Sequence, residues 1–183
     1  MTQHEPIILT YEDYELLPDD GRRYEIHEGE LSVTPAPSPF HQREVGNLYV
    51  CLRAHVNANL LGEVLLSPID CMLDESTIVQ PDVVFMATEI LQRITRRGVE
   101  GPPTLAIEVV SPYTSRIDRV RKRQLYAKFG VPFYWIVDRE ARAIEACTLQ
   151  QGQQILTAVL EAEQPRALPP FPDLILEPAE IFA

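Results

Sequence analysis

Two apolar runs stand out along the chain. They are Val79-Gln80-Pro81-Asp82-Val83-Val84-Phe85-Met86 and Thr104-Leu105-Ala106-Ile107-Glu108-Val109-Val110. Neither alternates strictly, which is the pattern of central strands covered on both faces. Phe133-Tyr134-Trp135-Ile136-Val137 repeats it, and Ala143–Leu149 and Gln154–Leu160 extend the same sheet. Helical spacing appears twice. Val45, Leu48, Leu52, Val56 and Leu60 recur along His41–Leu60, and Arg116–Phe129 reads as a helix ended by Gly130 and Pro132. Upstream, Thr10 and Asp13 open a short helix, Tyr11–Leu17, stopped by Pro18. Arg23–His27 and Glu30–Thr34 form a hairpin around Glu28-Gly29. Pro35 to Pro39 is a stiff connector. Short strands are expected at Glu63–Ser67 and Ile69–Leu73, and a short helix and loop at Thr88–Arg97. Strand, helix and strand from Thr104 to Asp138 predict a crossover with parallel pairing. The proline-rich stretch Pro165–Pro178 is expected to wrap the surface. The fold class is α/β (mixed α+β), a mixed sheet flanked by helices.

Composition narrows the setting. With 183 residues, 1–183 is expected to form a single domain. A hydrophobic content of 45% argues against disorder, and no stretch approaches the length of a membrane span. Cys51, Cys71 and Cys147 are odd in number, widely spaced and set among apolar residues. They read as small buried hydrophobes of a reducing compartment. With no secretory pattern in the first residues, the cytoplasm is the expected location. The net charge of −11 runs against extensive phosphate contact. Its positive charge is concentrated instead: six of the sixteen basic residues lie between Arg116 and Lys128, among them the only two lysines, Lys122 and Lys128.

The chemistry begins with two misplaced charges. Glu108 occupies the middle of an apolar strand, and Asp82 directly precedes Val83-Val84-Phe85. An unpaired carboxylate in either place costs several kcal/mol or is held protonated. A basic partner, water at a cleft or a metal ion would compensate, and each acid alone could simply pair with an arginine at a strand end. Two such anomalies in neighbouring strands favour one shared cause. Two carboxylates with waters suit Mg²⁺ or Mn²⁺. At 100° per residue, Lys122 shares a helix face with Asp118, Leu125, Tyr126 and Phe129, whereas Lys128 points to solvent. Lys122 is thus expected near the acids, with a simple Asp118–Lys122 pair as the alternative.

Several runs together resemble a known family. They are Arg23-Tyr24-Glu25-Ile26-His27-Glu28-Gly29-Glu30, Pro37-Ser38-Pro39-Phe40-His41, Gln80-Pro81-Asp82-Val83 and Ile107-Glu108-Val109-Val110-Ser111-Pro112, followed by Asp118 with Lys122 and Tyr126, and Gly130 to Asp138. Over about Thr10 to Leu149 this order closely resembles the Uma family, small bacterial proteins assigned to the PD-(D/E)xK restriction-endonuclease-like superfamily. The resemblance implies a restriction-endonuclease-like mixed sheet flanked by helices, with Asp82 and Glu108 as metal-binding catalytic acids. The superfamily pattern expects lysine two residues after the second acid, where this chain has Val110. Lys122 is the natural replacement. Glu44 is the positional candidate for a further acid on the first core helix. Glu25, Glu30 and His41 are cleft candidates, with structural roles as hairpin partners and a helix-start residue as the alternatives.

The expected activity is metal-dependent endonuclease cleavage of DNA. Asp82 and Glu108 hold Mg²⁺ or Mn²⁺, the Val109 carbonyl assists, and Lys122 positions water or offsets developing charge. Two rivals keep the fold: a catalytically inactive binding or regulatory module, and a metal-dependent hydrolase of small phosphorylated molecules. The sheet edges and the apolar C-terminal segment also allow a homodimer.

Overall fold

The computed structural model describes residues 7–34, 36–111, 115–161 and 164–183. Pro35 of the connector and Pro112 of the family motif lie outside the described residues. Strands β9 (Leu105–Val110) and β10 (Phe133–Asp138) pair in parallel, Leu105 with Phe133 through Val110 with Asp138. They form the centre of a six-stranded mixed sheet. β11 (Ala143–Gln150) and β12 (Gln153–Leu160) continue it on one side, and β6 (Val83–Ala87) and β3 (Gly62–Leu66) on the other, all antiparallel.

A second six-stranded sheet was not expected. Its order is β2 (Glu30–Thr34), β1 (Arg23–His27), β5 (Thr77–Val79), β4 (Cys71–Asp74), β8 (Gly98–Glu100) and β7 (Ile94–Thr95). The apolar run from Val79 to Met86 is therefore two strands, one in each sheet, broken at Gln80-Pro81-Asp82. Pro81 accounts for the break, because it donates no ladder hydrogen bond and restricts the residue before it. The β1–β2 hairpin turns as expected at Glu28 and Gly29, with φ of 54° and 84°. Left-handed values at both positions are those of a two-residue type I′ turn.

Helix α2 (Pro39–Ala58) covers one face of the first sheet. The Ser38 hydroxyl caps it by accepting from the His41 N–H at 3.2 Å. Leu48, Leu52 and Val56 pack there against Val83, Phe85, Ile107, Val109, Trp135 and Val137. The proline-rich stretch does not wrap the surface. Hairpin β13 (Arg166–Leu168) and β14 (Phe171–Leu176), with the short α4 (Pro178–Ile181), inserts Leu168, Phe171, Leu176, Ile181 and Phe182 into this core. Phe171 meets Trp135 edge-on, with ring centroids 6.2 Å apart, and the Trp135 indole donates to the Pro169 carbonyl. Proline content marked an irregular path here, while the apolar residues between the prolines decided its depth.

The opposite face meets the second sheet and the segment from Ile117 to Lys128. That segment is not uniformly α-helical: a π-helical turn, Ile117–Lys122, leads into α3 (Arg123–Lys128). The Tyr134 hydroxyl donates to the Asp118 carbonyl at 3.0 Å and ties the wide turn to β10. Short α1 (Tyr11–Glu15) covers the outer face of the second sheet, where Tyr11 and Tyr14 pack on Ile26, Met72 and Ile78. Cys71 and Cys147 are buried, Cys51 half-buried, and all three are free. No described helix is long and apolar enough to cross a membrane.

Candidate active site

The site occupies the seam between the two sheets. In the antiparallel β6–β9 pair Val83 lies opposite Ile107, so Asp82, one step earlier, falls opposite Glu108. The Asp82 N–H still donates to the Ile107 carbonyl at 3.0 Å. By strand alternation Asp82 and Glu108 share the face of Val84, Ala106 and Val110, opposite the α2 core. Across the seam, β1 contributes Arg23 and Glu25, since alternate residues Arg23, Glu25 and His27 point one way.

Lys122 joins the sheets. Its ammonium lies 2.9 Å from Glu108 Oε1, 2.9 Å from Glu25 Oε1 and 3.8 Å from Asp118 Oδ1. The alternative i, i+4 partner, Asp118, is thus the farthest of the three, because the π turn aims the lysine inward at both sheets. Tyr126 also donates to Glu108 Oε1, at 2.8 Å. Glu25 is held from two further directions, by the Gln80 N–H at 2.7 Å and by His27 Nε2 at 3.0 Å. Asp82 has its own partners: Arg23 Nη1 at 3.1 Å from Oδ1, with His41 Nε2 at 3.1 Å and the Val109 N–H at 2.9 Å from Oδ2.

These surroundings split the acids electrostatically. Burial works against the charge of Glu25, but Lys122, then His27 and the Gln80 N–H, outweigh it and hold the carboxyl at about 2. Burial likewise opposes the charge of Asp82, and His41, Arg23 and the Val109 N–H bring its pKa below the ordinary value. Glu108 goes the other way. Burial raises it well above the usual range, Lys122 opposes that rise, and Asp118, Asp82 and Glu25 add repulsion. Lys122 itself is raised: burial disfavours its charge, but Glu108, Glu25 and Asp118 outweigh that cost. Three acids share one ammonium, and Glu108 is the least well served.

The structure therefore gathers Asp82, Glu108, Lys122, Glu25 and His41 around one cleft of about 30 Å³, together with Arg23, Thr34 and Asp118. That volume admits an ion or a water or two. Glu30 and Glu44 are elsewhere. Glu30 is 73% exposed and pairs with Arg121. Glu44 is buried against Arg139 beyond β10, with burial raising its pKa. Val109 contributes its N–H to Asp82. Lys128 is exposed and pairs with Glu28. Sequence reasoning did not assign Arg23 or Gln80. The signal for Arg23 was the period-two row Arg23, Glu25, His27. Gln80 showed none, because it acts through its backbone, donating to Glu25 and accepting from Arg23 Nη2 at 2.6 Å.

Among the described residues no group of three His, Cys, Asp or Glu side chains converges as a ready-made metal cage. Two carboxylates with waters are nevertheless a sufficient protein contribution for Mg²⁺. The cleft also carries an excess of acid, with Glu25, Asp82, Glu108 and Asp118 against the permanent cations Arg23 and Lys122. The residues fit a dication bound through Asp82 and Glu108.

The fold recurs in a known protein. A crystal structure of a putative nuclease belonging to DUF820 from Anabaena variabilis superposes with a TM-score of 0.75. The two are 20% identical, over 95% of this chain and 97% of that one, which shows a shared fold. No curated protein matches the sequence. The family model described as "Uma2: Putative restriction endonuclease" matches residues 11–179, nearly the whole chain, and the protein belongs to that family.

Proposed function

We propose that this protein is a metal-dependent phosphodiesterase of the PD-(D/E)xK type, cutting DNA at the seam between its sheets. One observation carries the reading: Asp82 and Glu108 lie opposite each other on adjacent strands, on the same face and in the same cleft, with Lys122 at Glu108. The family description supplies the nuclease class. Asp82 and Glu108 would hold Mg²⁺ or Mn²⁺, which supplies Lewis-acid polarisation of a phosphoryl oxygen and lowers the pKa of bound water.

The rest is done by the chain. Glu25 anchors Lys122, so the ammonium sits at the cleft before substrate arrives and needs little reorganisation as charge develops. Tyr126 fixes Glu108 Oε1, and the Val109 N–H fixes Asp82 Oδ2. Because Glu25 and Glu108 divide one lysine, Lys122 would keep Glu25 and could turn to an incoming phosphate if Glu108 held a cation.

The test is cleavage of plasmid DNA in Mg²⁺ or Mn²⁺ by wild type, Asp82→Asn and Glu108→Gln. Both variants should lose activity by about a thousandfold, the loss of a term worth roughly 4 kcal/mol in the barrier. Undiminished cleavage in both sinks the assignment. The inactive-module reading draws on one feature: both oxygens of Asp82 already have protein partners. Calorimetric titration with Mn²⁺ separates the two, since a relic site evolves no binding heat.

A further inference from the structure

The two permanent cations of the cleft are held very differently. Lys122 is buried, with its ammonium between carboxylates of both sheets. Arg23 is 18% exposed at the side chain and lines the cleft. It uses Nη1 on Asp82 Oδ1 and Nη2 on the Gln80 carbonyl, and its buried Nε has no hydrogen-bond partner among the described residues. A guanidinium with an idle donor is only partly committed to its present contacts. Its carboxylate partner is one of the two acids through which a dication would bind. A dication and a guanidinium on the same carboxylate repel each other strongly in a desolvated cleft.

We propose that Arg23 is a partner-exchanging residue: it holds Asp82 oriented before metal arrives, competes with the metal for that carboxylate and, once displaced, binds the substrate phosphate. This rests on the metal-dependent reading given above. The tether to the Gln80 carbonyl keeps the displaced fork at the cleft, and a planar fork with free N–H groups matches a phosphodiester better than a point charge does. The same movement that frees Asp82 for metal delivers an anion-binding group to the substrate side. Metal and phosphate are thereby coupled through one side chain.

The exchange predicts effects of opposite sign. Mn²⁺ affinity is read by calorimetry for wild type, R23Q and R23K, with D82N locating the heat. R23Q should bind Mn²⁺ about tenfold more tightly, since a competing charge is gone. R23K keeps the charge but cannot span Asp82 and Gln80 together, so it should also bind more tightly, by less. It decides the matter if R23Q does not fold. DNA affinity is then read by anisotropy of a short fluorescein-labelled duplex with and without Ca²⁺, a larger oxygen-ligated cation suited to a carboxylate site. R23Q should lose about tenfold of the Ca²⁺-dependent gain, the order expected of one charge-assisted phosphate contact. A purely structural arginine would lower both affinities together. Mn²⁺ affinity unchanged or weaker in both variants overturns the competition, as does a gain in R23Q with R23K at the wild-type value. An undiminished Ca²⁺-dependent gain overturns the phosphate role. No uptake by either wild type or R23Q overturns the metal reading itself, and this inference with it.

Discussion

Strand β9 has two faces with opposite demands. Leu105, Ile107 and Val109 point into a dry core closed by α2, Trp135 and Phe171. Ala106, Glu108 and Val110 point into the seam, where Lys122 and Tyr126 meet Glu108. Consecutive residues of one strand thus serve separate purposes, because strand geometry sends neighbours to opposite sides. The dry face gains from every buried methylene. The seam spends part of that gain to keep several charges out of water, and a buried charge is tolerated only while its partner stays.

The contrast is open to attack, beginning with the largest effects. Trp135→Ala on the dry face should cost about 3–5 kcal/mol in urea unfolding, through lost burial and the cavity left beside Phe171. Lys122→Met in the seam should cost a similar amount, about 3–5 kcal/mol at neutral pH, by leaving Glu25, Glu108 and Asp118 without their shared ammonium. Only the seam loss should shrink on acidification. Glu108 has a raised folded pKa, so it binds more protons folded than unfolded, and its contribution improves as pH falls. Equal Trp135→Ala and Lys122→Met deficits at about pH 5 would erase the distinction between the faces.

Smaller effects sharpen it. Glu25 titrates with the reverse sign: its folded pKa is depressed to about 2, so its stabilisation is present above the ordinary carboxylate range and fades as pH falls toward that value. Urea midpoints followed down the acid limb should therefore fall less steeply in Glu25→Gln than in wild type. Ile107→Val should cost about 0.5–1.5 kcal/mol and leave Mn²⁺ uptake unchanged. Glu108→Gln, one residue along, should abolish that uptake while its urea midpoint at neutral pH stays level or rises. Least of all, Lys128→Ala should leave both stability and metal uptake at the wild-type values, because its pair with Glu28 is exposed.

Legibility followed the same division. The central strands could be read because fully covered strands form unbroken apolar runs, and Asp82 and Glu108 because charge interrupts such runs. The second sheet escaped because its strands are short and its hairpins are joined only by two distant pairings, β1 with β5 and β4 with β8, with β5 hidden in the run that Pro81 divides. No glycine or proline marks the π turn, so Arg116–Phe129 looked uniformly α-helical. The helix face of Lys122 pointed to Glu108, but its second carboxylate, Glu25, could not be read, because that bond crosses from the wide turn to the other sheet. Phe171 and Leu176 were misjudged through the prolines around them. Arg23 was overlooked because arginine near the start of a hairpin strand is ordinary. Its meaning depends on Asp82, fifty-nine positions away in the chain.

The lysine that bridges the two sheets bears on how descendants of such a protein lose their activity. Lys122 and Glu25 rivet one half of the architecture to the other, so a lineage that abandons catalysis still needs them to stay folded. Asp82 and Arg23 also link the sheets, but a change in either leaves the lysine and its two glutamates in place. A relative that retains the lysine and the hairpin glutamate is thereby certified as sound in construction, not as a working enzyme. The informative letters in any such relative are the acid after Pro81 and the arginine that faces it.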